Sequence, residues 1–196
     1  MSGRRPVALV HSRTLVLPAA DVDTDQIIPA RFLKGTVREG LGRGLFADWR
    51  YEPSGGPRTS FPLNRPEAEG AQILVAGPNF GCGSSREHAV WALVDAGFRA
   101  VVSTRLADIF KRNALQNGLV PVEIDAHAHA SLAEAEGVEA RVDVAALTLS
   151  WPGGLAAFAL PPFARRCLLE GRDELDILLS YEDAIAAHER GASLEA

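Results

Sequence analysis

Cysteine is scarce in this sequence, with only Cys82 and Cys167 among 196 residues. That excludes a disulfide scaffold, and two thiolates are too few for one chain to cage zinc or an iron–sulfur cluster. Concentrated positive charge is also missing. The 20 Lys and Arg are scattered against 25 Asp and Glu, for a net charge of -5. No basic stripe offers the phosphate neutralisation that nucleic-acid binding needs. No apolar run approaches the roughly eighteen residues needed to cross a bilayer. The opening MSGRRPVALVHSR has two arginines but lacks the continuous apolar segment of a signal peptide. A cytoplasmic chain with neither nucleic acid nor membrane as partner is expected.

What is present suffices for a sizeable core: 47% of the residues are hydrophobic, and the length suits one domain. Val7 to Val10 and Thr14 to Leu17 read as a hairpin around His11-Ser12-Arg13. Ala71 to Ala76, Ala100 to Ser103 and Leu119 to Ile124 read as strands. Helices are expected from Ser84 or Ser85 to about Ala96, and from Thr104 to Asn117 with Gly118 as its stop. Strand, helix, strand, helix, strand implies parallel pairing through right-handed crossovers, an α/β core. A short helix is expected over Ala126 to Gly137, and an edge hairpin from Val142, Val144, Leu147 and Leu149. Phe163 to Glu170, closed by Gly171, and Tyr181 to Arg190, stopped by Gly191, are the last predicted helices.

Between Arg31 and Arg65 the periodicity fails, and Gly and Pro accumulate. Such a segment is either a binding loop or lid, or a surface excursion tied down by Leu45, Phe46, Trp49 and Tyr51.

Two segments carry chemistry. Asp21, Asp23 and Asp25 alternate along Asp21-Val22-Asp23-Thr24-Asp25. Three carboxylates so close need solvent, backbone donors or a cation to relieve their repulsion. The second is Asn79-Phe80-Gly81-Cys82-Gly83-Ser84-Ser85-Arg86-Glu87-His88. Its glycines let a ligand approach the backbone. Serines at a helix start would offer hydroxyls and unsatisfied N–H groups to a carboxylate, and Arg86 adds a planar charged fork. Equally, Ser84 with Glu87 could be only a capping box. Ser84 is placed to act as an acid or base, although an ordinary hydroxyl needs strong electrostatic help for that. The turn is neither a Walker A loop, lacking Lys-Ser/Thr, nor a GxSxG elbow. Cys82 reads as a packing residue, His88 as a hydrogen-bonded structural residue and Cys167 as core. His127 and His129 fall in an exposed acidic stretch.

These motifs, with Asp23-Thr24-Asp25-Gln26-Ile27-Ile28-Pro29, Phe46-Ala47-Asp48-Trp49-Arg50, Ala107-Asp108-Ile109-Phe110 and Asp183-Ala184-Ile185-Ala186-Ala187, resemble the small subunits of bacterial 3-isopropylmalate dehydratase, within the aconitase superfamily. The resemblance extends over roughly residues 5 to 190. It implies one swivel domain over 1–196, a β/β/α arrangement with a small barrel-like mixed sheet flanked by helices, and a substrate-recognition loop around 31–44. It implies a heterodimer whose separate large subunit carries a [4Fe–4S] cluster, so that this chain binds no cofactor or metal. By the same resemblance Ser84 removes the C3 proton of the substrate. Ser85 and Arg86 hold the carboxylate where charge develops, and Thr24 and Asp25 line the other side, Asp25 supporting acid–base function. Arg38, on the loop, grips the distal carboxylate. The implied activity moves a hydroxyl between C2 and C3 of isopropylmalate in leucine biosynthesis. Related hydro-lyases acting on homoaconitate or citraconate are the alternative.

Overall fold

Strand residues sort by parity onto two faces, as a pleated backbone requires. Leu15, Leu17, Leu74 and Ala76 pack on one side, and Val16, Ile73 and Val75 on the other. A computed structural model describes residues 5–33 and 38–192. Its strands are β1 (Leu9–Leu17), β2 (Ile73–Ala76), β3 (Ala100–Ser103), β4 (Val120–Glu123), β5 (Glu139–Asp143), β6 (Thr148–Trp151) and β7 (Gly154–Ala157). They form one sheet in the order β4-β3-β2-β1-β5-β6-β7, curled into a half-barrel. The β1 to β4 half is parallel and the β1-β5-β6-β7 half antiparallel. This is the mixed, barrel-like sheet that the resemblance implies.

The helices are α1 (Thr24–Ile27), α2 (Ala47–Arg50), α3 (Glu87–Asp95), α4 (Asp108–Gln116), α5 (Ala126–Glu134), α6 (Pro162–Glu170), α7 (Glu174–Leu179) and α8 (Glu182–Ala192). On one face α1, α3 and α4 cover the sheet through Ile27, Ala89, Val90, Leu93 and Phe110. On the other, α5 and α6 cover it through Leu132 and Leu168. With helices on both sides, β2 and β3 are buried at every position, hence their apolar runs, which only Ser103 at the end of β3 interrupts. Phe80 and Phe110 meet edge to face, 5.3 Å between centroids, behind the glycine-rich turn. Burying each ring stabilises the fold by about 1.5–3 kcal/mol.

Several sequence expectations need correction. Val7 to Leu17 forms no hairpin; Leu9–Leu17 is the single strand β1. Leu9 to Arg13 pair with β5 on one edge and Thr14 to Leu17 with β2 on the other, and His11 meets Glu139 at 3.6 Å. His11-Ser12-Arg13 lacks a residue suited to positive φ, so the polar interruption is absorbed into the strand, with His11 and Arg13 exposed on one face and Ser12 half-buried on the other. The last helix runs through Gly191 to Ala192. Strand β7 and helix α7 had no counterpart in the sequence reading. Helix α7 starts with a capping box, the Asp173 carboxylate accepting from the Asp176 amide at 2.7 Å. By contrast α6 ends as read, at Gly171 with φ 65°.

The irregular stretch is tied down over much of its length. Leu45 and Phe46 are fully buried, and the Phe46 ring lies parallel to that of Trp49 at 6.1 Å. Residues 34–37 of the expected 31–44 loop lie outside the described residues. Among the described residues no helix is long and apolar enough to cross a membrane.

Candidate active site

The acidic segment and the glycine–serine turn, nearly sixty residues apart, run side by side. Asp21 N–H donates to Pro78 O at 2.9 Å, Gly81 N–H to Val22 O at 2.7 Å and Thr24 N–H to Cys82 O at 3.0 Å. This short parallel pairing bridges Asp23 and Cys82. Both segments leave the sheet together, since Asp21 follows β1 and Asn79 follows β2, its parallel neighbour. The turn is braced from beneath by the buried Ser103, whose hydroxyl donates to Gly77 O at 2.8 Å. Gly81 has φ 78°, and a Cβ there would lie 2.3 Å from Phe110 Cγ. Only glycine fits between that ring and Val22.

The pairing resolves the crowding of the three carboxylates. Asp23 caps α1, accepting from Gln26 N–H at 2.8 Å, while the Gln26 side chain accepts from Asp23 N–H in a reciprocal capping box. Asp21 accepts from the Asn79 side-chain amide at 2.8 Å. Asp25 accepts from the Arg86 guanidinium. Three side chains that would repel are each given a different donor.

Ser84, Ser85, Arg86, Asp25 and Thr24 are brought together. Ser84, Ser85 and Asp25 are exposed, Arg86 is half-buried and Thr24 is buried at 3% exposure. The Thr24 hydroxyl donates to Ser84 O at 3.1 Å, so Thr24 acts on the turn's backbone. Arg38, in contrast, sits over the ring of Trp91, with Cζ 4.8 Å from the centroid.

One expectation about the turn fails: α3 begins at Glu87, with Arg86 as its N-cap, and not at Ser84 or Ser85. No Ser84 capping box forms, because the Glu87 carboxylate accepts instead from the Asn117 side chain at 2.8 Å. Thr24 and the tight bond from Arg86 N–H to Ser84 O, 2.8 Å, hold the serines before the helix. Helix α4 likewise starts late, at Asp108 and not Thr104, because Phe80 pairs with Leu106 and accepts from Ala107 N–H at 3.0 Å.

Cys82 is half-buried, its thiol donating to Asp21 O at 3.4 Å. Burial, and then the Asp23 and Asp21 carboxylates, push that thiol above its ordinary pKa. The upward shift favours the neutral thiol and lowers the share of nucleophilic thiolate at pH 7. Cys167 is buried, as expected of core. His127 is exposed, but His129 is half-buried with Nε2 2.9 Å from Ala76 O, a structural bond at the end of β2. Among the described residues no three His, Cys, Asp or Glu converge to hold a metal ion. Trp91 and Asn117 were overlooked in the sequence, since nothing local to either points to Arg38 or to Glu87.

A groove of about 660 Å³ lies between α4, α6 and α7, lined by Lys111, Leu115, Leu160, Phe163 and Leu175. Ser84, Ser85 and Arg86 do not line it. Among the described residues the candidate site presents Ser84, Ser85 and Asp25 on an exposed face.

Residues 10–127 match the family model of the aconitase C-terminal domain. The 3-isopropylmalate dehydratase small subunit of Anaeromyxobacter sp. (strain K) is 63% identical over 187 residues, covering 95% of this chain and 98% of its own. That of Roseiflexus castenholzii is 51% identical, covering 94% and 93%. Among solved structures, the 3-isopropylmalate dehydratase of Methanocaldococcus jannaschii superposes with a TM-score of 0.69 at 26% identity, covering 92% of this chain and 99% of that one.

Proposed function

This chain belongs to the aconitase C-terminal domain family, among the 3-isopropylmalate dehydratase small subunits, and on that premise we propose that it forms half of an isopropylmalate site. The other half comes from a cytoplasmic large-subunit partner. The reaction is isomerisation of 2-isopropylmalate and 3-isopropylmalate through 2-isopropylmaleate, in leucine biosynthesis. A proton from C3 and hydroxide from C2 leave together as water, and water returns with the opposite orientation. The observation that carries the reading is the pairing of Asp21–Asp25 with Cys82–Arg86. It gathers Ser84, Ser85, Arg86 and Asp25 on one open face.

In this reading the Ser84 alkoxide takes the C3 proton and is left as the hydroxyl. Its exposed position lets a second subunit close over it and exclude water, which raises the strength of every charge interaction there. Proton loss beside a carboxylate pushes negative charge onto the carboxylate oxygens, and Arg86 and the Ser85 hydroxyl face that charge as donors. Interactions that tighten as charge develops raise turnover more than ground-state binding does. Asp25 orients the Arg86 guanidinium in advance, so less ordering is left to the substrate. Thr24 fixes the Ser84 backbone, and Arg38, on the 31–44 recognition loop, holds the distal carboxylate. The [4Fe–4S] cluster assigned to the large subunit supplies the Lewis acid for hydroxyl loss when bound. This chain's contribution is proton transfer, carboxylate binding and closure of the site.

The test is co-purification with the cluster-bearing large subunit, followed by ultraviolet absorbance of the conjugated double bond, which rises as 3-isopropylmalate is dehydrated to 2-isopropylmaleate and falls as homoaconitate or citraconate is hydrated. Association and preferred turnover of 3-isopropylmalate are expected. Failure to associate, or a preference for homoaconitate or citraconate with an intact cluster, would overturn the assignment.

A further inference from the structure

We infer that Trp91 is the positioning residue for Arg38, and that α3 serves as a common ruler between the recognition loop and the Ser84–Arg86 turn. The inference rests on the proposed role of Arg38 as a carboxylate ligand. The Arg38 guanidinium lies 4.8 Å above the Trp91 ring centroid. Attraction between a cation and an aromatic face consumes no N–H, so the contact leaves the guanidinium's donors available to a carboxylate.

The platform itself is held. The Trp91 indole N–H donates to the Asn117 side-chain oxygen at 3.0 Å. The Asn117 amide in turn donates to the Glu87 carboxylate at 2.8 Å and to Asn113 O at 2.9 Å. The His88 ring lies 4.6 Å from that of Trp91. An arginine resting on an ordered ring has lost part of its rotamer freedom before substrate arrives, and that loss is then not charged to binding.

One turn further along α3 the same loop is fastened again. Gly42 N–H donates to the Asp95 carboxylate at 2.7 Å. A Cβ on Gly42 would lie 2.8 Å from Ala96 N, so the backbone there sits directly on the helix end. Trp91 and Asp95 are four residues apart and share a helix face. Residues 38–42 of the loop therefore follow α3, whose N-cap is Arg86. Distances between the two carboxylate-binding arginines are set through one rigid element.

The experiment is steady-state turnover of 3-isopropylmalate by the assembled two-subunit enzyme, as a double-mutant cycle of Trp91→Leu and Arg38→Met. Trp91→Leu should raise KM roughly two- to fivefold, the range of an exposed cation–π contact, with kcat little changed. Trp91→Phe should recover part of the KM, since it keeps an aromatic face but loses the indole N–H that holds it. In the Arg38→Met background, Trp91→Leu should add nothing further. A purely structural role would reduce the active fraction, lowering apparent kcat at constant KM. That outcome, or effects on KM that multiply independently, would overturn the inference. A raised KM for Arg38→Met beside a normal KM for Trp91→Leu would overturn the positioning role alone. An unchanged KM for Arg38→Met would remove the substrate role of Arg38 and this inference with it. Trp91→Met replaces Trp91→Leu in the same cycle if the leucine variant does not assemble.

Discussion

The buried hydroxyl of Thr24 donates to the carbonyl of Ser84 at 3.1 Å, joining residues sixty positions apart. That bond ties the acidic segment to the base of the proposed proton-transfer group. It does so where neither the β1 nor the β2 ladder reaches.

Thr24→Val should remove the bond while keeping the shape of the side chain. A hydrogen bond of this kind contributes about 1 kcal/mol, and a loss of that size lowers Tm by roughly 2–4 °C in a domain of this length. Turnover of the assembled enzyme should fall as well, because Ser84 loses its backbone brace. Thr24→Ser keeps the hydroxyl and should recover most of both. Melting curves and kcat for the two variants decide the matter, and equal behaviour of Val and Ser would count against the brace.

Ser84→Ala should leave the fold and the association with the large subunit intact, since the side chain is exposed. Turnover should drop at least about 10²-fold, as expected for loss of a positioned acid–base group. The measurement is kcat of the purified complex with cluster content matched to the parent. Unchanged kcat would make this turn a binding or assembly element instead.

Cys82 should react slowly with iodoacetamide at pH 7. Burial first, and the Asp23 and Asp21 carboxylates next, raise its pKa, so the reactive thiolate is scarcer than for a free cysteine at the same pH. The alkylation rate, followed by mass spectrometry, should continue rising above the pH at which a free thiol levels off. Cys82→Ala should leave the iron content of the assembled enzyme unchanged. Loss of most of the iron would contradict the assignment of the cluster to the large subunit.

Gly81→Ala combines two costs. The backbone sits at φ 78°, and the added methyl meets Phe110 Cγ at 2.3 Å. A left-handed backbone costs about 1–2 kcal/mol and overpacking about 1–3 kcal/mol, so a loss of about 2–5 kcal/mol is expected. Gly97→Ala shares a positive φ, 102°, but meets nothing within 4 Å. It should cost only the backbone part, and denaturant midpoints for the two variants would reveal the difference.

By itself the sequence determined the parallel β2-α3-β3-α4-β4 half, because its strands are short, mostly apolar runs and its helices are amphipathic; the local period carries that information. It also singled out the segments proposed to bear chemistry, through residue types and spacing that resemble a family whose similarity runs along nearly the whole chain. Tertiary structure decided the rest. Whether His11-Ser12-Arg13 turns or continues depends on partners at both edges of β1, which lie far away in the chain. Whether Ser84 opens a helix depends on Glu87 being claimed by Asn117 and on Thr24 gripping the Ser84 carbonyl. The partners of Asp21, Asp23 and Asp25, and the seat of Arg38 on Trp91, follow from the same cause. Long-range donors and rings compete with local propensity for each of these groups, and only the folded chain settles which one is near enough to win.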